Sequence, residues 1–383
     1  MNHRLDGTVR ARTPQETWTA LEPQLGRLGI TRVARLTGLD YLGIPVWTAV
    51  RPNARTLVTS QGKGADDTLA RISAVLESAE LWLAEQPLTI AERNPHRRAG
   101  VPYPLEALAV NLRHDGLDRL VLDWAAGASL VSGHRALVPA DLVRRQPDPD
   151  GRAPAVFHVT SNGLAAGNTP DEATLHGLFE VIERDVLQRD HLAGGAHRTL
   201  INPATVNDPY CQQLIRRFLD ARLWLEIALV DSPYGIPVCA AYIWCEDYPV
   251  IFGGSGCHRD PHIALSRALT EAAQSRLTCI AGTRDDLDSH ETAFAAPLRR
   301  PEPAWPHTGD WAKLTARYRP GAQDFSSEVT VIAVIVAAVS SYEPIAVPLP
   351  GLPHFAGVKV IAPGLTMRET RSVPRPLIGG RHG

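Results

Sequence analysis

Cysteine is sparse in this chain of 383 residues and follows no pattern. Cys211, Cys239, Cys245, Cys257 and Cys279 make an odd number without CxxC spacing. Neither a disulfide framework nor a zinc knuckle is implied, and the thiols read as buried and reduced. Long apolar runs are scarce as well. The longest, VTVIAVIVAAV at 329 to 339, is too short to span a bilayer, and its β-branched residues read as a buried strand. The opening MNHRLDGTVRARTPQETW lacks the apolar core of a secretory signal. No dense basic block is present: 39 Lys and Arg against 41 Asp and Glu leave a formal net charge of −2. That balance argues against nucleic-acid binding and for small ligands or proteins as partners. These absences together describe a cytoplasmic protein that does not enter the membrane.

What is present is ordinary globular composition, with 44% hydrophobic and 21% charged residues, long enough for one elaborate domain or two smaller ones. Stretches at 66 to 85, 170 to 191 and 260 to 281 read as helices. LDRLVLDWAAGASLV, LWLEIALV, PVCAAYIW and PVIFGG read as strands. The mixture predicts an α+β architecture with helices packed on mixed or antiparallel sheets. Pro- and Arg-rich stretches at 94 to 104, 146 to 154, 298 to 306 and 370 to 378 read as surface connections. None separates independent domains, so a single catalytic unit is expected, less regular from about residue 285.

The acids of AAGNTPDEATLHGLFEVIERD, residues 165 to 185, pose the functional question. Thr169 is a natural N-cap, Pro170 suits the first helical position, and Glu172 falls where a capping box places its carboxylate. At about 100° per residue, Leu175, Phe179 and Ile182 form one apolar stripe, and Glu172, His176, Glu180 and Glu183 an adjoining polar one. Taken alone these acids read equally well as a solvated flank or as a functional face. Yet three helices repeat the arrangement: SAVLESAE from Ser73, HGLFEVIE from His176 and RALTEAAQ from Arg267. In each, a polar residue, a Glu and a final Glu or Gln stand at i, i+4 and i+7 on one face. If the faces converge, Glu77, Glu80, Glu172, Glu180, Glu183 and Glu271 gather with few local cations. Oxygen ligands without a His/Cys set then favour Mg²⁺ over Zn²⁺. Lys63, Arg184 and Arg267 would meet phosphate charge. Lys63 sits in TSQGKGADD, a short Gly-Lys-Gly loop without P-loop spacing that leads into the first helix. Asn168 lies in SNGLAAGN, a small-residue turn before the second.

These motifs resemble the YcaO family, which binds ATP and magnesium without a P-loop. The resemblance runs over roughly residues 55 to 285 and is carried by Ser73, Glu77 and Glu80, then Asn168 and Glu172, then Glu180, Glu183 and Arg184, then Arg267 and Glu271. It implies a YcaO-like catalytic domain over 55 to 383 after an N-terminal segment, 1 to 54, with an interior ATP/Mg²⁺ site. Glu77, Glu80, Glu180 and Glu183 would hold Mg²⁺, Arg184 and Arg267 would act in catalysis, and Lys63, Ser73, Asn168, Glu172, His176, Glu271 and Gln274 would line the nucleotide pocket. SNGLAAGNTPDEATLHGLFEVIERD and GSGCHRDPHIALSRALTEAAQSRLTCIAGTRDD look like the subgroup that works with a TfuA-type partner and is linked to thioamide formation. The implied reaction is ATP-dependent activation of a peptide backbone amide by O-phosphorylation. The implied partners are a TfuA-like protein, a precursor peptide or protein, and a sulfur donor, with a homodimer as a further candidate. Leu81, Ala165 and His176 depart from commoner family residues, the segment 290 to 350 matches poorly, and RPLIGGRHG replaces a Pro-x-Pro-x-Pro tail. The last departure favours thioamides over azolines. Azoline formation, a non-catalytic nucleotide-binding scaffold and a carboxylate-bridged metal hydrolase are the competing readings.

Overall fold

In the computed structural model the described residues are 2–111, 116–145, 156–284, 286–287, 290–319, 321, 324–367 and 373–376. In chain order, a hairpin of β1 (His3–Leu5) and β2 (Thr8–Arg10) precedes α1 (Pro14–Leu21), then β3 (Arg32–Arg35), β4 (Val46–Val50), β5 (Thr59–Lys63) and α2 (Asp67–Ala84). Next come β6 (Glu92–Pro95), α3 (His96–Ala99), β7 (Val121–Ser129), β8 (Arg135–Pro139), β9 (Leu164–Gly167) and α4 (Pro170–Leu192). β10 (Arg198–Ile201), α5 (Pro209–Asp220), β11 (Trp224–Val230), β12 (Val238–Trp244) and β13 (Phe252–Cys257) lead into α6 (Pro261–Ala281). The last elements are α7 (Glu291–Ala295), β14 (Thr308–Gly309), α8 (Trp311–Thr315), α9 (Phe325–Ser340), β15 (Ile345–Leu349) and β16 (Ala356–Ile361).

One unit recurs. The sheets run β3-β4-β5, β6-β7-β15-β16-β9 with β8 on β7, and β13-β12-β11-β10-β14. In each, an end strand (β5, β9 or β13) turns through a short connection into one of the three long helices, α2, α4 or α6. Asp66, Thr169 and Asp260 cap those helices, accepting from the backbone N–H groups of Leu69, Glu172 and His262. The strand lies hard against its own helix because glycine faces alanine. A Cβ on Gly62 would run into the backbone of Ala70 and Ala74, and one on Gly254 into Ala268 and Ala272. With that face of each helix closed by its strand, the ladder residues are left at the edge of the buried face.

The α+β class and the three helices are as expected, and Leu175, Phe179 and Ile182 are buried. Cys211, Cys239, Cys245 and Cys257 are buried and Cys279 half-buried. Several expectations are corrected. VTVIAVIVAAV is not a strand. Asp324 caps α9 by accepting from the Ser327 N–H, and Val329, Ile332, Ala333 and Val336 are buried at helical spacing against the α4 core. β-branched composition is a weak preference that packing overrides. Beyond residue 285 the described residues hold little regular structure as far as α8, but α9 follows, β15 and β16 lie inside a sheet, and β16 pairs with β9. Lys63 ends strand β5 where a loop was expected, and LAAG before the second helix is β9. Their Gly- and Ala-rich sequences carry no strand signal, and the partners β4 and β16 supply the ladder. The 94 to 104 connection contains β6's end and α3. That at 146 to 154 lies outside the described residues, as does most of 370 to 378. The expected boundary at residue 54 falls between β4 and β5, which pair from Val46–Lys63 to Val50–Thr59. No helix is long and apolar enough to cross a membrane among the described residues.

Gly254→Ala should lower stability by about 1–3 kcal/mol in urea unfolding, because α6 must back away from β13. An unchanged unfolding midpoint would mean the close strand–helix contact does not constrain the fold.

Candidate active site

The three helices border one cavity of about 590 Å³. β5 and α2 present Lys63, Ser73, Glu77 and Glu80 to it. Asn168 and α4 present Glu172, His176, Glu180, Glu183 and Arg184, and α6 presents Arg267, Glu271 and Gln274. All thirteen site residues singled out from the sequence therefore face the same space.

Their contacts are specific. Lys63 Nζ lies 2.9 Å from Glu271 Oε2, tying β5 to α6. Arg184 is bracketed on its own helix by Glu183 at 3.1 Å and Glu180 at 3.5 Å. Glu183 also accepts from Ser255 Oγ at 2.7 Å. Backbone N–H groups of the β9 region donate to two acids, Ala166 to Glu80 at 2.9 Å and Gly163 to Glu180 at 3.1 Å. Gln274 Nε2 donates to Gln61 O at 3.4 Å. Ser73 and Arg267 form no side-chain hydrogen bond among the described residues.

Glu172 completes only half of the expected capping box. Its N–H donates to Thr169 Oγ1 at 3.2 Å, but its carboxylate turns away from the cap. It accepts from Arg10 Nη1 at 3.2 Å, from Ala11 N–H at 2.9 Å and from Asn168 Nδ2 at 3.2 Å. Asn168 Oδ1 in turn accepts from Thr17 Oγ1 at 3.0 Å. The β1–β2 hairpin is held over the cavity by this set and by the Arg4–Asp260 ion pair at the start of α6. The N-terminal residues are thus part of the cavity wall.

The electrostatics also correct the sequence reading, which foresaw few cations. Among the described residues seven line the cavity (Arg10, Arg12, Lys63, Arg145, Arg184, Arg267, Arg284), matching seven acids (Asp6, Glu77, Glu80, Glu172, Glu180, Glu183, Glu271). Arg10, Arg12, Arg145 and Arg284 come from outside the ladders, in segments whose Arg residues look like any surface Arg in the sequence. The compensation is uneven. Burial, with Lys63 and Arg284 opposing it and Glu271 and Glu180 adding to it, pushes Glu77 up to about 7. Burial raises Glu80 well above the carboxylate range, and Glu180 is raised by burial with Glu183 adding repulsion. Glu271 stays low despite its burial, held there by Lys63, Arg184 and Arg267. Burial, with Arg267, Arg10, Lys63 and Arg184, keeps His176 neutral, well below the usual imidazole value.

This donor set suits Mg²⁺. Among the described residues no three His, Cys, Asp or Glu side chains are grouped closely enough to hold a metal ion by themselves, as a closed zinc site would. Instead, under-compensated carboxylates stand around an open space, and Mg²⁺ takes a few carboxylates while keeping positions for water and phosphate oxygens. Lys359 on β16 was missed because it lies beyond the motif region. It is buried, its Nζ donates to Thr160 O at 2.8 Å, and burial pushes the ammonium down to about 7, with Glu180 opposing and Arg145 adding to the shift.

Residues 61–366 match the family described as YcaO cyclodehydratase, ATP- and Mg²⁺-binding. The chain belongs to the YcaO family. The match passes residue 285 and takes in α9, β15 and β16, so the C-terminal part belongs to the YcaO unit as well. An uncharacterised protein of Mycobacterium tuberculosis is 36% identical over 97% of this chain and 85% of its own length. An uncharacterised protein in the tfuA 3′ region of Rhizobium leguminosarum bv. trifolii is 38% identical over 73% of this chain and 69% of its own. In fold, the chain matches YcaO from Methanopyrus kandleri, solved with AMPPCP and Mg²⁺, with TM-score 0.70, 23% identity and coverage of 98% and 99% of the two chains. It also matches a heterocyclase solved with substrate and cofactor, with TM-score 0.75 and 22% identity over 95% of this chain and 54% of that one. ATP and Mg²⁺ are the cofactors of this YcaO chain.

Because Glu77 titrates in the fold above its ordinary value of 4.5, its contribution to stability is complete below that value and is lost as pH rises through about 7. Glu77→Gln should therefore raise the Tm of the metal-free protein by a few degrees at about pH 8 and change it little at about pH 5. The stabilisation that Mg²⁺ gives wild type should shrink in the variant. Identical pH profiles for the two proteins would exclude a raised carboxyl at Glu77.

Proposed function

We propose that this YcaO chain activates backbone amides of a ribosomally made peptide or protein for thioamide formation, with a TfuA-type partner and an external sulfur donor. The observation that carries the thioamide reading is the relative at 38% identity in the tfuA 3′ region. The cavity supports the coarser step. Bound Mg²⁺ and ATP supply the phosphoryl group that turns the amide oxygen into a leaving group.

The chain's residues bind and orient. Glu77, Glu80, Glu180 and Glu183 hold the metal. Arg184, clamped between Glu180 and Glu183, presents a fixed guanidinium to the phosphates. Arg267, whose side chain forms no hydrogen bond among the described residues, is free to follow charge as it develops during phosphoryl transfer. Lys63, held by Glu271, meets phosphate charge at the start of α2. Ser73, neutral His176 and Gln274 offer hydrogen bonds to the nucleotide. Glu172 and Asn168 act by holding the hairpin with Arg10 over it.

Arg267→Lys keeps the charge but loses the bidentate fork. Phosphate release with peptide and partner should fall about tenfold or more while the Lys63–Glu271 pair keeps the fold intact. Turnover equal to wild type would remove Arg267 from the phosphate site.

The family description names a cyclodehydratase, which favours azoline formation as the second reading. The product separates the two. With ATP, Mg²⁺, sulfide, a TfuA-type partner and the precursor peptide, mass spectrometry should show sulfur in place of one oxygen. Loss of one water without added sulfide supports the azoline instead. ATP binding with no change in the peptide would point to a scaffold.

A further inference from the structure

Arg145 is a cavity cation that the acidic ladders leave unused. Its backbone N–H donates to Ala84 O at 2.8 Å, which fixes it at the C-terminal end of α2. Lys63 stands before the N-terminus of the same helix. The 18 residues of α2 separate those ends by about 27 Å, so the cavity has two poles with Ser73, Glu77 and Glu80 strung between them. The Lys63 pole also holds Glu271 and Arg267. The Arg145 pole is built differently, from Leu57, Leu81, Thr160 and Asn162.

At that pole Arg145 Nε is buried without a hydrogen-bond partner, and the guanidinium forms no ion pair or hydrogen bond among the described residues. The nearby acid, Glu85, is engaged with Arg51, Arg55 and Thr56. Glu80 and Glu180 are engaged with the β9 backbone. Lys359 fixes the wall by donating to Thr160 O. A half-buried guanidinium whose buried Nε has no acceptor gains when one fills the site, and its charge selects an anion.

Resting on the thioamide reading above, we infer that Arg145 holds the hydrosulfide anion, free or released by the partner, at the pole of the cavity remote from Lys63. From there the anion adds to the amide carbon. The C–S bond forms, the carbonyl π pair moves to oxygen, and that oxygen takes the γ-phosphoryl group as ADP leaves. The C–O bond then breaks, phosphate departs with the amide oxygen, and the sulfur loses its proton to give the thioamide.

The test uses the full chain with Mg²⁺, ATP, peptide and partner, and varies sodium hydrosulfide. Arg145→Gln leaves the anchoring backbone contact in place and should keep the wild-type circular dichroism spectrum. It should raise the hydrosulfide KM about tenfold or more with ATP affinity unchanged in calorimetry, and Arg145→Lys should recover part of the loss. An unchanged hydrosulfide KM overturns the inference, as does a parallel loss of ATP affinity. A second readout does not depend on turnover: thiosulfate titrated into protein loaded with Mg²⁺ and AMPPCP should bind saturably to wild type and not to Arg145→Gln. Equal binding, or none to wild type, overturns the anion site. Thiosulfate binding lost in the variant, with no sulfur entering peptide in wild type, would sink the thioamide reading and leave the anion site standing.

Discussion

Crowding Glu77, Glu80, Glu180 and Glu183 around one space is the constraint on which the rest of this structure depends. Like charges drawn out of water repel and lose hydration, so the fold must hold them by means other than their own attraction. It does so through packing on the adjoining face of each helix. Gly62 against Ala70 and Ala74, and Gly254 against Ala268 and Ala272, bring strand and helix backbones into contact and close the apolar face. The backbone N–H groups of Gly163 and Ala166 supply part of the missing solvation. Arg184 supplies charge from within α4 itself.

Compensation is deliberately incomplete where a cofactor is to bind. At the Lys63–Glu271 pair, opposite charges meet at 2.9 Å and Glu271 stays ionised. At Glu77 and Glu80, burial outweighs the cations and raises both carboxyls. The difference marks where added positive charge would gain most: a divalent ion held there would relieve the repulsion. A fully neutralised cavity would have no such preference.

The N-terminal hairpin belongs to the same arrangement. Glu172 is buried and saturated by Arg10, Ala11 N–H and Asn168, so a ladder acid serves as the anchor of a distant segment. The hairpin carries Arg10 into the cavity, and the Arg4–Asp260 pair links it to the cap of α6. Two of the three helix N-termini are thereby tied to one strap, which couples the position of the helices to the cover over the site.

The order of polar residues along the chain was sufficient to identify the ladders, the three helices and the cofactor class, because i, i+4 and i+7 spacing puts side chains on one face whatever the surroundings. The resemblance to the YcaO family is carried by the same residues. Other features were not legible. Val329 to Val339 is β-branched enough for a strand, and only packing against α4 makes it a helix. TSQGK and LAAG become strands because β4 and β16 offer them hydrogen bonds across long sequence separations. Arg10, Arg145 and Arg284 look like unremarkable surface cations in the sequence, and their convergence on the cavity is a property of topology. Local spacing is written in the chain, but which distant charges share a low-dielectric space is decided when the sheets assemble.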